Sequence, residues 1–161
     1  MVSVSIDLGD TFLIQTPSQG KHLYIAIAPA LTGQLAPALT GQLAPALTGQ
    51  LAPALTGQAA KETQTRHLFV SINHRQPQSE TVCILEPGPD VPDFIIHESV
   101  VNYRFARELT SKDLAKLIPT GSLAAKGQCS SRVLQRIQAG GLASKRLKNR
   151  YKLTLKDFMA L

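Results

Sequence analysis

The residues best suited to chemistry are four histidines and the cations beside two of them, Lys21-His22 ahead of one apolar stretch and His74-Arg75 just behind another. Imidazole, with an unperturbed pKa of about 6.5, can give and take protons near neutrality. Two such groups can serve as the base and the acid of one reaction, with a neighbouring cation opposing the negative charge that develops in it. His22 and His74 are the candidate proton-transfer pair, with Lys21 and Arg75 as electrostatic partners; the bland alternative is that the histidines are half-buried spacers at strand ends. His97 and Glu98 are adjacent in what reads as a strand, so they should face opposite ways and not serve one site together. His67 reads as capping the strand that it begins. No His, Cys, Asp or Glu set has zinc-like spacing, no Gly-rich phosphate cradle follows a strand and no serine sits in a nucleophile elbow, so neither a metal nor a cofactor is expected.

These residues must be held by a modest fold. At 161 residues, 43% hydrophobic, with mean hydropathy near zero, the chain is one globular domain's worth. Outside residues 29–58, strand patterns recur at Thr11 to Gln15, His22 to Ala28, His67 to Ile72, Thr81 to Glu86 and Phe94 to Phe105, separated by turn formers such as Pro17-Ser18-Gln19-Gly20 and Pro87-Gly88-Pro89-Asp90. Strands with tight connections and no helix between them predict a small antiparallel barrel or a strongly bent sheet.

The carboxy-terminal third changes period. Thr110 can cap a helix carrying Asp113, Leu114, Leu117 and Ile118 that Pro119 stops. A second helix starts at Ser130 or Ser131, carries Val133, Leu134 and Ile137, and ends at Gly140-Gly141. A third runs from about Ser144 with Leu147, Tyr151, Leu155 and Phe158 on one face and lysines on another. The expected organisation is a body over 1–107 and a basic helical segment over 108–161. From Glu108 onward there are eleven Lys and Arg against three acids, while residues 1–107 carry six against eight. A basic segment on a near-neutral body suits a polyanion or an acidic protein, unless it is simply a solvated helix surface. Lys145, Arg146, Lys148, Arg150, Lys152 and Lys156 are the candidate nucleic-acid-binding residues; Tyr151 is the one aromatic among them, too little for a stacking platform.

Residues 29–58 repeat the octapeptide Pro-Ala-Leu-Thr-Gly-Gln-Leu-Ala, with Pro29, Pro37, Pro45 and Pro53 heading four copies, the last of which keeps the first six residues. Identity between the copies points to recent tandem duplication rather than to a solenoid, whose repeats adapt to their neighbours. A proline and a glycine in each copy prevent a long helix, so a flexible insertion between two strands is expected, with a short stacked coil as the alternative.

Four phrases resemble the MazF/PemK toxin family. Gly9-Asp10-Thr11-Phe12-Leu13-Ile14 is similar to the family's opening Gly-Asp and first strand; Gln19-Gly20-Lys21-His22-Leu23-Tyr24-Ile25-Ala26-Ile27 to its loop and second strand. Val70-Ser71-Ile72-Asn73-His74 is similar to its third strand, and Phe94-Ile95-Ile96-His97-Glu98-Ser99-Val100-Val101-Asn102-Tyr103 to its late strand with a polar pair. The sequence departs from the family where Lys21 and His22 replace an Arg-Pro pair and where Asn73 or His74 replaces Thr or Ser. The resemblance implies an SH3-like barrel, so the expected class is α+β: a small antiparallel SH3-like β-barrel, a carboxy-terminal helical tail and the repeat in a strand-strand loop. It also implies that the edges carrying His22 and His74 face each other.

The function implied is that of an RNA-directed protein, a metal-independent endoribonuclease of a toxin-antitoxin type system, with an acidic antitoxin protein and a second copy of the chain as partners. The alternatives are a non-catalytic nucleic-acid-binding module and an SH3-like protein-interaction domain. Met1 to Asp10 has neither the basic start nor the apolar core of a signal peptide, and Cys83 and Cys129 are too few for a disulfide framework, so a cytoplasmic protein without a membrane partner is expected.

Overall fold

Apolar residues in the central strands come in unbroken runs rather than in strict alternation with polar ones, and a strand of that kind must be covered on both faces. The computed structural model, which describes residues 4–18, 20–30 and 65–160, shows how both are covered. The strands are β1 (Asp10–Thr16), β2 (Gly20–Ala30), β3 (Arg66–His74), β4 (Ile84–Leu85), β5 (Ser99–Thr110) and β6 (Leu123–Gln128), with helices α1 (Ser111–Ala115), α2 (Ser131–Ala143) and α3 (Asn149–Met159). The strands form one curled antiparallel sheet in the order β4-β5-β3-β2-β1-β6. The class is α+β, with a six-stranded sheet and carboxy-terminal helices.

Side-chain alternation divides the apolar residues between two cores. Leu23, Ile25 and Ile27 of β2 and Leu68, Val70 and Ile72 of β3 enter the larger core, where α2 and α3 cover them with Val133, Ile137, Tyr151 and Leu155. Tyr24, Ala26 and Phe69 point the other way and join Phe12, Ile14, Ile6 and Leu114 of α1 in the smaller core. There Phe12 meets Phe69 edge-on, with ring centroids 6.1 Å apart. The β2–β3 register shifts between Ala26 and Ala28, and the buried Gln138 side chain donates to the carbonyl of Ile27 at 2.7 Å. A carbonyl displaced at the irregularity thus finds a partner on α2 rather than being left bare in the core.

Several expectations need correction. The strand expected over Thr81 to Glu86 contracts to Ile84–Leu85, and the one expected over Phe94 to Phe105 begins only at Ser99 and runs on to Thr110. β6 lies in the segment read as wholly helical; it returns to the sheet as its edge strand beside β1, where Ala124 pairs with Leu13. Thr110 does cap α1, exchanging hydrogen bonds with Asp113, but the helix stops at Ala115. α2 does not end at Gly140-Gly141, because here the pair serves close packing. A Cβ on Gly140 would sit 2.4 Å from the Tyr103 Oη and one on Gly141 2.8 Å from the Leu155 Cδ1. α3 begins at Asn149 rather than near Ser144, whose hydroxyl instead donates to Glu80 at 2.7 Å while accepting from the backbone N–H groups of Arg146 and Leu147. Pro29 and Ala30 are the last residues of β2, paired with His67 and Arg66; the rest of the repeat lies outside the described residues, as does its expected flexibility. Among the described residues no helix is long and apolar enough to cross a membrane.

Candidate functional site

Because β2 and β3 are antiparallel neighbours, the start of one lies beside the end of the other. The register pairs Leu23 with Ile72, leaving Lys21 and His22 at the same end of the sheet as Asn73 and His74. Lys21, His22 and His74 line one open depression of about 600 Å³, together with Leu23, Asn73, Gln76 and Phe94. The convergence of these two edges is therefore present in the structure. Lys21 and His74 are exposed and His22 is half-buried, so solvent and a ligand can both reach the group.

Arg75 is not part of that depression. Its Nη1 pairs with the Glu98 carboxylate and its backbone N–H donates to the Glu98 carbonyl at 3.4 Å, on the wall of an adjacent hollow that also contains Thr81. Its charge is already opposed by a carboxylate, so among the predicted cations Lys21 is the one that lines the His22–His74 depression.

The expectation that His97 and Glu98 alternate faces on a strand does not apply. Residues 94–98 are not a strand, and in this irregular approach to β5 the His97 ring meets His74 edge-on, with centroids 5.7 Å apart and planes at 86°. Phe94, which residue type alone did not single out, is 45% exposed and lines both the main depression and a smaller hollow shared with His74 and His97. Lys126, on β6, places its Nζ 5.4 Å from the Phe94 ring centroid. The sequence signal available for both was weak: an apolar Phe94-Ile95-Ile96 run in which only Ile95 is buried, and a lysine in a segment with helical composition.

His74 also borders a second hollow, with Asn73, Glu80, Asn102, Arg104 and Arg146 on its walls. The remaining predicted nucleic-acid-binding residues are dispersed. Lys145 and Arg146 lie in the link between α2 and α3, Lys148 is the amino-terminal cap residue of α3, and Arg150, Lys152 and Lys156 are on the helix. The expected single helical stripe is therefore broken in the middle. Arg146 donates to the Gln78 carbonyl at 3.3 Å, and the Arg150 guanidinium lies 4.5 Å from the centroid of the Tyr151 ring and donates to its hydroxyl.

Other titratable groups are used structurally. Burial pushes the Cys83 thiol up and the Cys129 thiol up to about 11, so neither is a thiolate nucleophile. His67, half-buried in β3, has its pKa lowered by desolvation, which outweighs a backbone hydrogen bond with Thr65 and the charge of Asp7, and its Nδ1 has no hydrogen-bond partner among the described residues. Among the described residues no three His, Cys, Asp or Glu side chains gather in a way that could hold a metal ion. What the arrangement offers is two imidazoles, an ammonium group and an exposed aromatic ring around an open cleft: proton transfer, anion binding and stacking. No family model matches the chain, and no curated protein matches it.

Proposed function

We propose that this protein is an RNA-directed module of the MazF/PemK kind, an SH3-like barrel in its body, in which His22 and His74 carry out the proton transfers of metal-independent RNA cleavage. The observation that carries this reading is the meeting of Lys21, His22 and His74 in one open depression at the β2–β3 end of the sheet. One imidazole removes the proton of the ribose 2′-hydroxyl, whose oxygen attacks the adjacent phosphorus. The other protonates the departing 5′-oxygen, leaving a 2′,3′-cyclic phosphate and a free 5′-hydroxyl. Lys21 opposes the negative charge that accumulates on the non-bridging oxygens. An acidic antitoxin segment would compete for the same depression, and a second copy of the chain and a cytoplasmic setting belong to the same reading.

A second reading, RNA binding without cleavage, is favoured by one specific observation: Arg75, the other cation proposed for the phosphate, is tied to Glu98. Incubating the protein with unstructured RNA in the presence of a metal chelator separates the two. Cleavage with 2′,3′-cyclic phosphate ends, lowered about 100-fold or more in His22→Ala and in His74→Ala, is the expected result. Binding without cleavage selects the second reading, and cleavage that survives both substitutions removes the first.

A further inference from the structure

We infer that Phe94, with Lys126 over one face of its ring, is a stacking subsite for one nucleobase of an RNA strand lying past His74; the inference rests on the RNA reading above and adds to it a base-binding residue outside the proton-transfer pair. A phenyl ring normally contributes to a core or an interface. Phe94 does not sink into the core because its neighbour Ile95, only 5% exposed, is the residue anchored there, leaving Phe94 45% and Ile96 69% exposed.

The surroundings of the ring select its occupant. Among the described residues no carboxylate lines the depression, and neither Lys21 nor Lys126 makes an ion pair. One ammonium group, that of Lys126, therefore lies over the ring, and a second, that of Lys21, lines the same depression. A planar apolar group attached to an anion fits, which describes a base with its phosphate. Stacking on an aromatic side chain requires a base whose face is free. A duplex keeps its bases paired and stacked, and A-form RNA presents a deep, narrow major groove that side chains do not enter, so the subsite takes single-stranded RNA. A base held on Phe94 brings its neighbouring phosphate toward His22 and His74, which share the depression with the ring.

The chain contains no tryptophan, so Phe94→Trp creates a sole indole reporter at the subsite. Titration of that variant with single-stranded oligonucleotide RNA is expected to quench the indole strongly, whereas duplex RNA of the same composition leaves it nearly unchanged. Phe94→Ser is expected to weaken single-strand binding roughly tenfold or more while leaving its salt dependence as it was, because no phosphate contact is lost. Lys126→Gln, in contrast, is expected to flatten the salt dependence. An unquenched indole at saturating RNA, or full affinity in Phe94→Ser, overturns the subsite while leaving RNA binding by the wild-type protein intact. Wild-type protein that binds no RNA removes the underlying reading and the subsite together. Quenching by a polyglutamate peptide but not by RNA overturns the subsite in favour of a protein ligand.

Discussion

The cleft at the β2–β3 end of the sheet and the cationic segment around α3 are both basic, yet they use their charges differently. Lys21 in the cleft and Lys126 over the Phe94 ring are supplied by strands of the sheet, and among the described residues neither makes an ion pair. Around α3, Arg146 donates to the Gln78 carbonyl, Arg150 stacks on Tyr151, and Glu80 accepts from both the Ser144 hydroxyl and the Lys145 backbone N–H, so part of the basic segment serves to dock the helices. Counting charges along the chain favours the second region. Lys145, Lys148, Lys152 and Lys156 are, among the described residues, also outside any ion pair, so what distinguishes the first region is not its number of charges but the histidines and the exposed ring beside them.

The largest way to separate the two regions is to damage the helical side alone. Alanine is favoured over glycine within a helix by about 1 kcal/mol. At Gly140 the added Cβ meets the Tyr103 Oη at 2.4 Å and the Cys83 Cβ at 3.1 Å. Tyr103 cannot easily move aside, since it is 1% exposed and its hydroxyl donates to the Ile137 carbonyl at 2.7 Å. Gly140→Ala is expected to lower stability by about 1–3 kcal/mol in a urea melt, with RNA binding retained under conditions where the variant stays folded. A melt indistinguishable from wild type would show that α2 does not pack this tightly.

A smaller effect compares the two sets of cations directly. Each phosphate contact to single-stranded nucleic acid contributes about 0.7 to the slope of log affinity against log salt. Lys21→Gln is expected to reduce the slope by about that amount and Lys156→Gln, in the last turn of α3 and outside the cleft lining, by much less. Equal losses would place the two regions on one continuous RNA path.

The smallest effect contrasts the two ends of β3, where His67 is half-buried and His74 stands in the open. Burial lowers the His67 pKa below its ordinary value, and its Nδ1 finds no partner among the described residues. The unfolded chain therefore binds more protons at this position than the folded one just below the ordinary histidine value of about 6.5. The associated stability is complete above that value and declines as the pH falls through the lower folded pKa. His67→Gln is expected to flatten this part of the stability-pH curve below the ordinary histidine value of about 6.5, without shifting the pH profile of RNA cleavage. A shifted cleavage profile would mean that the two ends of β3 are not independent.

The central strands were legible because β2 and β3 are long apolar runs bounded by polar residues, and burial on both faces demands such runs. The cap at Thr110 was legible for a similarly local reason, since Thr110 and Asp113 satisfy each other's neighbouring N–H groups within four residues. β6 was not legible. Leu123-Ala124-Ala125-Lys126 has helical composition and becomes a strand only because the exposed edge of β1 offers it hydrogen bonds. Gly140-Gly141 misled for the opposite reason: two glycines look like a helix end unless the ring of Tyr103 and the side chain of Leu155 are known to press against them. In the candidate site, Lys21, His22 and His74 could be picked out by residue type and by their place at strand ends, whereas His97, Phe94 and Lys126 could not.

By itself, then, the sequence determined which segments are strands in the middle of the sheet, where α1 begins, and that chemistry-bearing side chains stand at the start of β2 and the end of β3, because each of these follows from residues close together in the chain. Tertiary structure alone decided that Arg75 is spent on Glu98, that His97 rests on His74, and that Lys126 crosses from β6 to Phe94. Those outcomes depend on which surfaces the curled sheet brings together across long stretches of chain, and no local pattern of residues encodes that.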